Sequence, residues 1–314
     1  MTPVVAVLGS LNMDFVVSVE TLPSPGQTVL GSRFQMLPGG KGANQACACG
    51  RLGAGKVRAR IAGRVGYDLF ADHLKASLSA AGVDVSAVHA TRSHPTGVAL
   101  IWVDRQGQNS IVVASGANHA FAATDVNGLR ATFSDASYAL FQLETPLETV
   151  EAGLALARSE GARTMLDPAP AAPLPRHLLQ FVDILTPNES EASVLLGRPA
   201  ARLTIAEARQ AAAALREQTG VATVVMKLGE QGCFWLDADR EVYAPGFPVK
   251  AVDTTAAGDT FNAGLAVALA EGLDAAPALR FANAAAALSV TQPGAQASIP
   301  PRAGVERFLL EQQG

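Results

Sequence analysis

Apolar positions along the chain fall into short β-branched runs separated by longer stretches with helical spacing. Val4 to Leu8 (VVAVL) reads as a buried strand, and RARIAG precedes a helical pattern from about Asp68 to Ala81. Tyr138 to Leu143 (YALFQL) leads into the helical PLETVEAGLALARSEG, and Thr164 to Asp167 (TMLD) runs into a Pro-rich loop. There follow VDILTP, ESEASVLLG, an Ala-rich helix from Ile205 to Thr219 and the strand Thr223 to Lys227 (TVVMK). Strands alternating with helices of this length predict βαβ units on a largely parallel sheet, an α/β fold. Such sheets gather ligands at the carboxyl ends of their strands.

Two segments break the alternation. Phe15 to Leu37 and Thr96 to Gly116 each read as strands joined by turns, the second as a hairpin across Arg105-Gln106-Gly107-Gln108. They supply too few strands for a separate β domain. We therefore expect one domain over residues 1–314, with a small sheet projecting from the main one as an extension or a lid.

Composition narrows the class. With 49% hydrophobic residues in 314, the chain can bury a large core, and a net charge of −4 without a basic run argues against nucleic acid. The start, MTPVVAVLGS, lacks the basic region of a signal peptide, and no apolar stretch approaches a membrane span. Cys47, Cys49 and Cys233 show no metal-ligand spacing, so they read as small buried residues in a reducing, cytoplasmic setting.

Three stretches carry candidate chemistry. Gly50 to Val57 (GRLGAGKV) nearly matches a Walker A loop, but Val57 lacks the hydroxyl that binds Mg²⁺ and a helical pattern precedes it, so it reads as a helix-ending turn. Pro38 to Ala46 (PGGKGANQA) sets glycines around one lysine before a helix, which permits close backbone approach beside a positive charge. It lies near Gly9-Ser10-Leu11-Asn12-Met13-Asp14, polar groups expected at the end of the first strand. In VDTTAAGDTF (Val252 to Phe261), small residues precede Asp259 where a helix begins. Asp259 could cap that helix, or the bare N–H groups could hold an anion with a carboxylate beside it.

GSLNMD, PGGKGANQA, LFQLETP, LTPNESEA, KLGEQG, VDTTAAGDTFNAG and VTQPGAQASIP stand in the order seen in the ribokinase-like (PfkB) carbohydrate kinases. The chain resembles that family from its first strand nearly to its last helix. The resemblance implies a three-layer α/β/α fold with a mostly parallel sheet and a small β lid. It implies ATP-dependent phosphorylation of a sugar, with D-ribose at O5 as the leading acceptor. Asp259 would be the base, and the N–H groups of Ala256, Ala257, Gly258 and Asp259 the anion hole.

The same resemblance assigns the acceptor to Asn12, Asp14, Gly40, Lys41, Asn44 and Glu144. It assigns the nucleotide to Asn188, Glu191, Gly258 and Asn283 and to the run Lys227, Leu228, Gly229, Glu230, Gln231 and Gly232. Glu191 would act near Mg²⁺. Lys227 departs from the threonine that ribokinase-like enzymes for ribose often carry. An activating K⁺ would sit at Asp253, Thr255, Ser289, Gln292, Gly294 and Ser298, and lid strands would pair two subunits in a homodimer. Other acceptors in the same fold are deoxyribose, ketoses and nucleosides. A sensor without catalysis is the reading outside enzymology, and retention of Asp259 argues against it.

Overall fold

The structure is a computed structural model that describes residues 2–312. Its strands are β1 (Val4–Leu8), β2 (Asn12–Val19), β3 (Gly31–Gly39), β4 (Arg58–Gly66), β5 (Val83–Thr91), β6 (Gly97–Val103) and β7 (Asn109–Ala114). They continue as β8 (Ala136–Phe141), β9 (Arg163–Leu166), β10 (Ile184–Leu185), β11 (Thr223–Lys227), β12 (Gly232–Leu236) and β13 (Glu241–Pro245). The helices are α1 (Lys41–Gly53), α2 (Leu69–Ala80), α3 (Arg130–Phe133), α4 (Leu147–Ser159) and α5 (Arg176–Leu179). After them come α6 (Glu189–Leu195), α7 (Ile205–Thr219), α8 (Ala257–Ala270), α9 (Ala275–Ser289) and α10 (Arg302–Glu311).

The main sheet runs β13-β12-β11-β10-β9-β8-β1-β4-β5 and is parallel from β11 to β5. Every residue of β1 is buried, as expected of a central strand covered on both faces. Its side chains alternate between two cores. Val5 and Val7 join the core beneath α1, α2, α8 and α9, while Val4, Ala6 and Leu8 join the one beneath α4 and α7. That division makes three layers.

The second sheet is β3-β2-β6-β7, and it projects where the two non-alternating segments predicted it. Its hairpin turn lies at Asp104 to Gln108, with the Gly107 N–H donating to the Asp104 carbonyl. One boundary differs from expectation. β2 begins at Asn12, so Asn12 and Asp14 belong to the lid and not to the end of β1. The sequence pattern also omitted β5 and the β12–β13 hairpin, which adds an antiparallel edge to the main sheet. β12 follows β11 through a single 3₁₀ turn, Gly229–Gln231, with no α-helix between them, so the alternating pattern fails there a third time.

Parallel strands align their carboxyl ends. Ser10 after β1, Gln142 and Glu144 after β8, Asp167 after β9, Asn188 after β10 and Lys227 at the end of β11 therefore line one edge of the sheet. α1 and α8 begin at that edge and pack against each other.

Candidate active site

Asp259 occupies the first turn of α8 and is buried. It does not cap the helix: the cap position is Ala256, in a left-handed conformation with φ 60°, and no side chain closes the end. Of the two readings open for Asp259, the cap is the one its geometry lacks, because the carboxylate turns inward. Asn44 Nδ2 donates to Asp259 Oδ2 at 3.0 Å, and Gln45 Nε2 donates to Oδ1 at 3.2 Å. Burial pushes the Asp259 carboxyl up to about 6; nearby Asp167 adds to this, while Lys41 and the two amides oppose it. Among the described residues, no carbonyl accepts from the N–H of Ala256, Gly258 or Asp259, whereas the Ala257 N–H reaches the Thr254 carbonyl at 3.2 Å. Three bare donors therefore stand at the start of a helix beside a buried carboxylate.

The glycines before α1 let that helix approach the lid. Gly40 has φ +89°, and a Cβ there would lie 2.8 Å from the Asn12 nitrogen. A Cβ on Gly39 would lie 2.1 Å from Asp14 Oδ2, so the Asp14 carboxylate rests directly on bare backbone. Burial, reinforced by Glu144, raises the Asp14 carboxyl to about 7. Glu144 Oε2 accepts from Ser10 Oγ at 2.6 Å and from the Lys41 N–H at 3.0 Å, which ties β1, α1 and the end of β8 together. Asn12 Oδ1 accepts from Asn118 Nδ2 at 2.7 Å. Lys41 is disfavoured as a cation by its burial, but Asp259, Asp167, Glu144 and Glu191 outweigh that and raise its pKa. Lys41 thus faces Asp259 on one side and Glu144 on the other, and Glu144 in turn lies beside Asp14.

A cavity of about 740 Å³ opens on the other side of Asp259, lined by Lys41, Asp167, Asn188, Glu191, Lys227, Gly229, Thr254 and Ala256 to Asp259. Asn188 and Glu191 form a capping box at the start of α6: Asn188 Oδ1 accepts from the Glu191 N–H at 2.8 Å and Glu191 Oε2 from the Asn188 N–H at 2.7 Å. Desolvation raises the Glu191 carboxyl, with Lys227 opposing. Lys227 Nζ donates to Asp167 Oδ1 at 2.7 Å and lies 3.8 Å from Glu191. Desolvation lowers the Lys227 pKa, but these two acids more than compensate.

The rest of the expected nucleotide set divides. Leu228 is buried in the core, Glu230 pairs with Arg202, and Gln231 Nε2 donates to the Leu203 carbonyl at 3.0 Å. Gly232 opens β12, where a Cβ would meet the Ala244 carbonyl. Asn283 stands apart from the cavity lining, because its amide donates to the carbonyls of Ala244 and Pro245 at 3.0 and 3.2 Å. Those bonds dock the end of β13 onto α9.

Comparison with known proteins decides what this arrangement belongs to. The family described as pfkB family carbohydrate kinase matches residues 3–302. The chain belongs to the pfkB family. It is 40% identical over 311 residues to the ribokinase of Haemophilus influenzae, covering 98% of this chain and 99% of that protein. It is 42% identical over 305 residues to the ribokinase of Bacillus subtilis, covering 97% and 99%. The solved structure of Arabidopsis thaliana ribokinase complexed with ribose and ATP superposes with a TM-score of 0.89 at 35% identity, over 98% of this chain and 99% of that one. The chain is therefore a carbohydrate kinase.

Within this pfkB kinase, Asp253 and Thr255 lie on one loop, Gln292, Gly294 and Ser298 on the segment after α9, and Ser289 at the end of α9. Asp253 Oδ1 accepts from the Thr255 N–H at 2.9 Å and Oγ1 at 2.6 Å, and Asp253 Oδ2 accepts from the Gly294 N–H at 2.9 Å. Burial raises the Asp253 carboxyl, but these bonds outweigh it and hold the pKa below the usual range. Among the described residues, the carbonyls of Asp253, Thr255, Gln292 and Gly294 accept no hydrogen bond. Free carbonyls on linked loops suit a hard monovalent ion. The hydroxyls of Ser289 and Ser298 turn instead to the carbonyls of Ala286 and Ala295, and the Gln292 side chain is exposed.

Sequence reasoning missed four residues that bond within these polar clusters: Gln45, Asp167, Gln142 and Asn118. Gln45 and Gln142 stood inside motifs already singled out, one position from Asn44 and two from Glu144. Asp167 ends a strand on the ligand edge, which was signal enough. Asn118 offered none: it reaches Leu11 and Asn12 only through tertiary packing.

Proposed function

We propose that this kinase transfers the γ-phosphoryl group of ATP to O5 of D-ribose, giving D-ribose 5-phosphate and ADP. The observation that carries the reading is the position of Asp259. Its carboxylate is held by Asn44 with Lys41 nearby, and its own N–H and those of Ala256 and Gly258 stand bare at the cavity. Asp259 takes the proton from the primary hydroxyl as its oxygen bonds to phosphorus, and the bond to the bridging oxygen of ADP breaks. The N–H groups of Gly258 and Asp259, with Ala256, hold the phosphoryl oxygens. Phosphoryl transfer asks for this positioning and charge stabilisation more than for covalent help.

At the acceptor, Asp14, Asn12, Asn44, Lys41 and Glu144 grip the ring hydroxyls, with Gly40 giving backbone access. The small residues at 256–258 keep the path of the phosphoryl group clear. Lys227, Gly229 and Asn188 face the nucleotide phosphates. Glu191 and Asn188 would hold Mg²⁺ with the phosphates, where the ion would neutralise polyphosphate charge, and the free carbonyls of the 253–255 and 292–294 loops would hold K⁺, which would add positive charge beside the anion hole. Closure of the lid excludes water. Phe34, Met36, Leu100 and Val112 share one face of the lid and are exposed, which favours a homodimer through that sheet.

An ATP-consumption panel over ribose, deoxyribose, fructose, adenosine and sugar phosphates tests this reading. Ribose should give the highest kcat/KM. A missing hydroxyl leaves polar groups of the site unpaired, at about 1–3 kcal/mol for each buried group. A deoxyribose preference would reassign the acceptor, and no turnover with any of them would remove the kinase chemistry.

A further inference from the structure

Behind Asp259 lies a chain of amides that the reaction as described does not use. Gln45 is fully buried on α1, and its Nε2 donates to two carboxylates at once: Asp259 Oδ1 at 3.2 Å and Asp167 Oδ2 at 3.1 Å. Carboxylates only accept, so the amide nitrogen must face them and its oxygen must face away. That oxygen accepts from Gln142 Nε2 at 2.6 Å. The Gln142 oxygen is then turned toward Gly9, where a Cβ would lie 2.0 Å from it. The two carboxylates thus fix the Gln45 amide and Gln45 fixes the Gln142 amide, whose own oxygen is buried without a hydrogen-bond partner.

We propose that Gln45 is the positioning residue of the phosphoryl-transfer site, fixing the Asp259 carboxylate and coupling it to the Asp167–Lys227 pair at the cavity. The inference rests on the reading of Asp259 as the base. A carboxylate in a buried site otherwise rotates about its side-chain bonds; here Asn44 holds one oxygen and Gln45 the other. Gln45 also places an N–H between two acids that would otherwise repel. Lys41 from α1 and Asp167 from the end of β9 face Asp259 itself. Lys227 from β11 and Glu191 from α6 face Asp167 in turn, and Glu144 faces Lys41. Binding of phosphate near Lys227 is thereby felt at Asp259 through one amide.

The test is the pH dependence of kcat at saturating ribose and Mg-ATP for the wild type, Gln45→Leu and the similarly sized Gln45→Met. Both variants remove an N–H that favours the ionised carboxylate and introduce no titrating group, so the acid limb of kcat should move to higher pH. At the pH optimum kcat should fall by roughly 100-fold, the scale of a misplaced reacting group, while the ribose KM changes less than about threefold. A merely structural residue would lower the melting temperature without moving the acid limb. Folded variants with an unmoved limb and kcat within twofold of wild type overturn the inference. If Gln45→Leu does not fold, Gln45→Met decides by the same criteria. Asp259→Asn, assayed alongside, separates the two claims. If it turns over normally, the base assignment has failed; if it is inactive while the Gln45 variants behave as wild type, only this inference has.

Discussion

Lys227 Nζ lies 2.7 Å from Asp167 Oδ1, an ion pair formed where β11 and β9 end and closed off from most solvent. Removing one partner from such a pair strands the other charge, whereas removing both does not. Asp167→Ala should therefore destabilise the ligand-free protein by about 3 kcal/mol, the low end for a buried pair because Glu191 remains 3.8 Å from the lysine. The double variant Asp167→Leu/Lys227→Met should recover most of that loss in urea unfolding. It should not recover the KM for ATP, since the cavity has lost a cation.

Two carboxyls with raised pKa values give the acceptor reaction a two-step acid limb. Asp14 is raised to about 7 and Asp259 to about 6, and both must be ionised to accept hydroxyl hydrogens. The kcat/KM for the acceptor reports the free enzyme. It should fall as pH drops through 7 and more steeply below 6. Asp14→Asn should erase the upper step and leave the lower one. Stability moves the opposite way: folded pKa values above the ordinary aspartate value of 3.8 make the folded state bind more protons. Their stabilising contribution is fully present below that value and lost as pH rises toward 6 to 7. A thermal-melt series on ligand-free protein, compared with Asp14→Asn, checks the sign.

Gly39→Ala should act on the sugar and not on the fold. The added methyl would overlap the Asp14 carboxylate, which can swing away because it is a side chain, but only by leaving its place against Gly39 at the end of β3. We expect a rise in the acceptor KM of at least tenfold, with kcat at saturation much less affected. An unchanged KM would show that Asp14 does not grip the sugar from this position.

Replacing Na⁺ by K⁺ in an assay with saturating Mg-ATP should raise the rate. The reason is the set of unbonded carbonyls on the loops joined by Asp253. Asp253→Ala cuts the tie between Thr255 and Gly294 and should remove most of the K⁺ response. Equal rates in the two salts over a broad concentration range would count against a cation at these loops.

The sequence by itself determined the layers and the lid. β1, the helix Ile205–Thr219 and β11 fall where the apolar pattern put them, because a strand covered on both faces must be continuously apolar and a helix against a sheet must repeat every third or fourth residue. Glycine-rich PGGKGANQA and the bare AAGD turn were legible for a local reason: only small residues permit such backbone. Which polar groups meet was settled by packing. The sequence left Asp259 open between a helix cap and a reacting carboxylate, and nothing in it showed that Asn44 and Gln45, more than 200 residues away in the chain, hold its oxygens. Nor did it show that the Asn283 amide donates to the end of β13. Lys227 gave no sign of Asp167, which the end of β9 brings beside it. Periodicity reports which face of an element is buried. The partner of a buried polar group is chosen by the packing of elements distant in sequence, and no local pattern records it.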